Sequence, residues 1–292
     1  MATVHRSDER PPIWVDTDGG VDDALALLYL VATGQRLVGV STVHGVVDAR
    51  QAAANAAGVL ARAEVTVPVH VGRTPPAPRD AGARHGSDGV GGAAIARADL
   101  VGDGDAVDAL LAATREHRRL TFLATGPASN LAAAVSADAT VVARLGQVVV
   151  VAGATPPVRD TNTWCDPPAM RSAVEILAPA GRLTVITLDA TATDPIAGEG
   201  LDRLAATSRY DGLAWRMAAT YHRRQSEEQG RPVLVPHDAL AAVAATTPAV
   251  IADHRTCTPS VSEERLRPGG PGTVRWVTRL RGAAALLTTA LA

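Results

Sequence analysis

Apolar positions along this chain follow two rhythms, and the switch from one to the other repeats. Short apolar runs at Ile13 to Val15, Leu37 to Val43, Val67 to Val71, Leu120 to Ala124, Val148 to Val151 and Leu183 to Leu188 have the length of buried strands. Between and after them stand stretches with helical spacing: the segment opening at Asp22-Asp23 and running to Leu30, Ala49 to Arg62, Asp105 to Glu116, a helix from near Ser129, Ala169 to Leu177, Gly200 to Ala206, Leu213 to Gln225, and one opened by Pro236-His237-Asp238 and running to Thr246. Thr273 to Leu280 alternates like a half-exposed strand, and Gly282 to Ala292 reads as a closing helix. This alternation predicts an α/β fold, an open, mainly parallel, doubly wound sheet with helices on both faces. Two polar stretches, Arg73 to Gly92 and Gly153 to Pro168, read as long loops, a feature that often carries function in a compact domain.

Composition narrows the picture. The 292 residues keep an even composition, which suits one domain over residues 13–292 behind a flexible polar segment, residues 1–12. With 47% hydrophobic and 20% charged residues and a net charge of -2, the chain reads as a soluble globular protein without the basic footprint that nucleic acid or an acidic membrane surface would select. All 28 basic residues are Arg, so a phosphate-loop lysine, a Schiff base and a lysine base are excluded. Cys165 and Cys257 are too few for a disulfide framework and too scattered for a zinc site, which fits a reducing, cytoplasmic compartment. No uninterrupted apolar segment reaches the roughly 18 residues of a membrane span.

Candidate chemistry concentrates between the first strand and the first helix. Asp16, Asp18, Asp22 and Asp23 fall around Gly19-Gly20 on a tight turn, and so much like charge is costly unless a cation, protons or hydrogen bonds compensate it. One Asp can be spent as a helix cap; four together point to a hard metal held by oxygen ligands. Further polar groups follow later strands or open later helices: Thr125, the loop carrying Asp160, Asn162 and Asp166, and His237-Asp238. In an open α/β sheet those ends converge on one edge, where ligands bind.

On these residues the chain resembles the inosine–uridine-preferring nucleoside hydrolase family. Val15-Asp16-Thr17-Asp18-Gly19-Gly20-Val21-Asp22-Asp23-Ala24 looks like the family signature, with Gly19 where Pro is usual. In the family's order follow His85 to Gly89, Ala124 to Leu131, Asn162 to Pro167 and His237-Asp238. The resemblance implies a calcium-dependent hydrolase of the N-glycosidic bond of ribonucleosides, with a nucleoside as its small-molecule partner, assembled as a homodimer or homotetramer. It further implies Asp18, Asp23, the Thr125 carbonyl and Asp238 as calcium ligands. Asp18 is the implied base toward water, Asp22 and Asn162 are implied partners of the ribose hydroxyls, and His85 and His237 are placed on the side of the leaving base. Such roles suit calcium, which binds several oxygens but acidifies water only weakly, so that a carboxylate must complete the deprotonation.

Departures from the family pattern cluster on the sugar side. Val46 stands where an asparagine is common, Asp160 replaces a glutamate as a substrate-binding candidate, and the segment Gly153 to Asp160 is shortened. The metal half of the implied site is kept while the contacts to the 5′ end are altered, so a modified nucleoside is an expected substrate. A specialised relative binding another polyol-like ligand is an alternative. A haloacid-dehalogenase-type phosphatase is disfavoured, because Gly20 stands where that class needs Thr or Val and its lysine is absent.

Overall fold

In a computed structural model the protein is described over residues 10–79, 81–95, 101–102 and 104–292. Residues 1–9 of the expected flexible segment lie outside the described residues, as does Asp80 of the loop expected from Arg73 to Gly92. The strands are β1 Ile13–Thr17, β2 Leu37–Thr42, β3 Val69–Val71, β4 Val101–Gly102, β5 Leu120–Ala124, β6 Leu145–Val151, β7 Leu183–Ile186, β8 Ile251–Cys257, β9 Ser260–Ser262, β10 Arg265–Arg267 and β11 Val274–Leu280. The helices are α1 Val21–Ala32, α2 Ala49–Arg62, α3 Ala106–Glu116, α4 Ser129–Ala137, α5 Val141–Arg144, α6 Thr161–Cys165, α7 Pro167–Leu177, α8 Leu188–Ala192, α9 Glu199–Ala206, α10 Leu213–Gln229, α11 His237–Thr246 and α12 Ala283–Leu291.

Nine strands form one sheet in the order β4-β3-β2-β1-β5-β6-β7-β11-β8, and every pairing in it is parallel except that of β11 with β8. The alternation of side chains feeds two cores. On one face Ile13, Val15, Leu123, Val149 and Val151 meet α1, α2, α10, α11 and α12. On the other Trp14, Phe122, Val148 and Val150 meet α3, α4 and α7. Both faces are covered, which is why these strands read as near-continuous apolar runs. The chain proceeds from β1 to one side as far as β4 and then returns to lay β5 on β1's other side, so a topological switch point opens at the carboxyl ends of β1 and β5.

Local chemistry sets the element ends. Asp48 accepts from the amides of Arg50 and Gln51, both at 3.0 Å, and starts α2 at the residue its alanine-rich pattern predicts. The strand expected to reach Leu188 ends at Ile186, because the Thr187 hydroxyl accepts from the Ala190 amide at 2.9 Å and begins α8. The loop expected from Gly153 to Pro168 contains α6, capped by Asp160. The edge strand β8 and the β9–β10 hairpin went unseen in the sequence, since β8 exposes most of its side chains and carries no apolar run. Among the described residues no helix is long and apolar enough to cross a membrane.

Candidate active site

Four carboxylates meet at the switch point. Asp18 follows β1, Asp22 and Asp23 lie in the first turn of α1, and Asp238 lies in the first turn of α11; all four are at most 6% exposed. A helix N-terminus favours negative charge, yet the apolar bulk of α1 and α11 supplies most of the anchoring. Leu25, Leu27, Leu28 and Leu30 are each fully buried, worth about 1.5–3 kcal/mol apiece.

Asp23 is the most firmly held. Its Oδ1 accepts from the hydroxyls of Thr17 and Thr125, each at 2.6 Å, and its Oδ2 from the Gly20 amide at 2.9 Å. Asp18 Oδ2 accepts from the Val46 amide at 3.0 Å, and a Cβ on Gly45 would lie 2.2 Å from that oxygen, so only glycine lets β2's exit come this close. Gly19, at φ 80°, donates its amide to the Thr17 hydroxyl at 3.1 Å and lies where a Cβ would strike Ala52 of α2. A proline, usual at this position in the resembling family, can adopt neither that φ nor that bond.

The buried carboxyls are hard to ionise together. Desolvation first, then the charge of Asp23, raises Asp18 well above the usual carboxylate range and Asp22 to about 6. Desolvation first, then Asp22, raises Asp238. Like charges packed this closely away from water disfavour one another's ionisation. Oxygens of Asp22, Asp23 and Asp238 lie within 4.8 Å of one another, a spacing that fits one hard cation. Asp18 stands outside that tightest trio.

The other expected residues fall unevenly around this centre. Thr125 donates its hydroxyl to Asp23, and its carbonyl accepts from Asn162 Nδ2 at 2.6 Å. Asn162 Nδ2 also reaches the Val151 carbonyl at 2.9 Å, which leaves Oδ1 as the amide's unspent end. His85 Nδ1 accepts from the Val21 amide at 3.1 Å, so its proton sits on Nε2; the ring stacks on Tyr221 at 4.6 Å. His237 Nδ1 lies 2.6 Å from the Thr191 hydroxyl. Burial holds both imidazoles at about 4, neutral near pH 7. Asp160 goes elsewhere: it is 1% exposed, it caps α6 through the Thr163 amide and hydroxyl, and it accepts from the Gly153 amide at 2.8 Å. It does not line the cavity, because a shorter acid at this place serves the backbone of its own loop.

A cavity of about 80 Å³ lies over these groups. Tyr221, Arg84 and Arg159 line it as well, and sequence reasoning missed all three. Tyr221 sits among charged residues in α10, where no local signal distinguishes it from a packing residue. The arginines lie in the two long loops, whose length was the only hint.

Residues 13–282 match the family described as inosine-uridine preferring nucleoside hydrolase. An uncharacterised protein of Schizosaccharomyces pombe is 29% identical over 191 residues, 61% of this chain and 58% of its own length. Uridine nucleosidase 1 of Arabidopsis thaliana is 27% identical over 252 residues, 80% of this chain and 73% of the relative. Among solved structures, a plant nucleoside hydrolase, PpNRh1, superposes with a TM-score of 0.86 at 24% identity, covering 96% of this chain and 98% of that one, a likeness of fold.

Proposed function

The chain belongs to the inosine-uridine preferring nucleoside hydrolase family and by that membership is an N-ribosyl hydrolase; from this premise we propose that it cleaves the N-glycosidic bond of a ribonucleoside with the help of calcium, releasing free base and ribose. The carrying observation is the buried meeting of Asp22, Asp23 and Asp238 with Asp18 at the mouth of the switch point. Four buried carboxyls so close together are short of positive charge, and all-oxygen donors suit calcium.

Asp18, Asp23, Asp238 and the Thr125 carbonyl would hold the ion, and the chemistry it supplies is polarisation of a water and of the sugar diol. Asp18, ionised beside the bound cation, takes the proton of the attacking water. Asp22 and the free Oδ1 of Asn162 accept from the 2′- and 3′-hydroxyls. The carboxylate floor stabilises the positive charge that develops on the sugar as the C1′–N bond breaks. The base lies against the His85–Tyr221 stack, where neutral His85 and His237 offer hydrogen bonds to the departing nitrogen heterocycle. Residues 13–292 act as one catalytic unit, in a reducing cytoplasm that suits two buried free cysteines, and assemble as a homodimer or homotetramer in keeping with the resemblance.

The reading is tested by incubating the protein with a ribonucleoside panel and following free-base release. Release is expected with calcium, to vanish on chelation and to return when calcium is restored; release unaffected by exhaustive chelation overturns the metal part of the reading.

A further inference from the structure

We infer that the mouth of this site recognises an anionic group on the 5′ carbon, so that the preferred substrate is a ribonucleoside 5′-monophosphate. The inference rests on the hydrolase reading above and specifies its substrate class. The inner cavity adjoins an outer one of about 680 Å³. Six residues line both: Ala81, Arg84, Arg159, Thr161, Leu188 and His237. Any substituent that leaves the acidic floor must pass Arg84 and Arg159.

The two arginines are not equivalent. Arg84 is bonded to Glu228, with contacts of 3.0 and 3.1 Å. Arg159 is exposed, and among the described residues no carboxylate lies within ion-pair distance of it. Its charge slightly favours ionisation of Glu264, but that carboxylate is itself bonded to Arg79 at 2.7 Å. Asp189, which also lines the outer cavity, is engaged by the amide and hydroxyl of Thr155, both at 2.9 Å. Arg159 is also pre-placed: its guanidinium carbon lies 4.6 Å from the centre of the Trp164 ring, and the next residue, Asp160, ties the segment to Gly153 and Thr163. An arginine stacked on an aromatic ring beside a cavity mouth, without an acid of its own, is suited to a phosphate.

Orientation follows from the lining. The diol belongs on the floor, where Asp22 and Asn162 accept hydroxyls, and the flat base belongs on the aromatic stack of His85 and Tyr221. What remains of a nucleoside is its C5′ substituent, directed to the mouth. On the way there Val46, which lines the inner cavity beside Asp18, offers only an apolar side chain, and Asp160 is engaged by its own loop, so a neutral 5′-hydroxyl finds no side-chain carboxylate or amide partner from these two positions. The reaction balances without a further reagent: water adds its oxygen to C1′, the C1′–N bond breaks, the proton released to Asp18 balances that gained by the base, and ribose 5-phosphate leaves.

The test compares kcat/KM for inosine and uridine with their 5′-monophosphates in the calcium-loaded protein. The monophosphates are expected to be favoured by about 10–100-fold, the range of a charge-assisted hydrogen bond. In Arg159→Glu that ratio should collapse to near or below one, while Arg159→Lys should keep part of it. Product inhibition gives a second readout: ribose 5-phosphate should inhibit the wild type at lower concentration than ribose, and lose that advantage in Arg159→Ala. Turnover of nucleosides with no advantage for the monophosphates overturns this inference and leaves the hydrolase reading standing. Failure to hydrolyse either class overturns both.

Discussion

The floor of the cavity and its rim are built by opposite means. The floor hangs on the ends of β1 and β5 and on the first turns of α1 and α11; its carboxylates are nearly inaccessible, and Asp23 alone receives three hydrogen bonds from Thr17, Gly20 and Thr125. The rim is carried by two long loops, and its arginines are exposed, with Arg159 held by one aromatic contact. A site on rigid elements keeps its chemistry fixed, whereas a rim on loops can change its residues without disturbing the elements beneath. Here one departure from the family pattern, the short loop to Asp160, lies in the segment that carries Arg159, while the other, Val46, lines the inner cavity next to Asp18.

The contrast can be broken most severely from below. Asp23→Ala removes the acceptor that ties β1, the α1 turn and Thr125 together, so calcium binding and turnover should both disappear; unchanged calcium affinity by calorimetry would place the ion elsewhere. Asp18→Asn keeps an oxygen donor and removes the proton acceptor, so kcat should fall on the order of 10²–10⁴-fold while KM changes little. Near-normal kcat in that variant, with the metal bound, would assign the base to another group.

A smaller effect separates floor from rim within one substrate. In the proposed mode the 2′-deoxy analogues of inosine and uridine would lose a hydroxyl paired by the floor, and they should drop in kcat/KM far more than the 5′-deoxy analogues. Equal penalties would show that the rim has rebuilt its polar contacts to the sugar.

The smallest effect is on stability. In the metal-free protein desolvation lifts Asp16 to about 7 and Asp22 to about 6 from 3.8. An acid whose pKa is raised by folding holds its proton more tightly when folded. Its contribution to stability is therefore complete below about pH 4 and lost as pH climbs through 6 and 7. His85 and His237, held at about 4, shift stability the opposite way over the same interval, so the carboxyl contribution is read as a difference. The melting temperature of the calcium-free protein relative to Asp16→Asn should fall by roughly 5 °C between pH 5 and pH 8; a difference that stays constant contradicts the raised pKa of Asp16.

Much of this was legible in the residues. Ala49–Arg62 and Leu120–Ala124 occupy the predicted bounds, because each agrees with its own local signals, a capping Asp48 in one and a buried five-residue run in the other. The doubly wound sheet followed from the same alternation. The floor was foreseen because its carboxylates sit next to strands or helix starts, where the fold must bring them together. The rim was not, since Arg84, Arg159 and Tyr221 come from segments whose meeting depends on loop paths and on the face α10 turns inward. Asp160 shows the limit of reading by position: a residue at a family's substrate-contacting place was recruited as a helix cap once its side chain was one methylene shorter.

The adjacency of β1 and β5 bears on how the chain reaches its native state. Thr125 bonds the main chain of Asp16 across a separation of 109 residues, with β2, β3 and β4 and helices α1, α2 and α3 threaded between. Closing so long a stretch of chain is entropically slow, and non-local parallel pairings of this kind delay folding. Asp18 and the Thr125 carbonyl share a site only after that closure. Uptake of the proposed calcium would therefore come late along the folding route, and the rate at which a refolding chain takes up the ion would report when its centre has zipped.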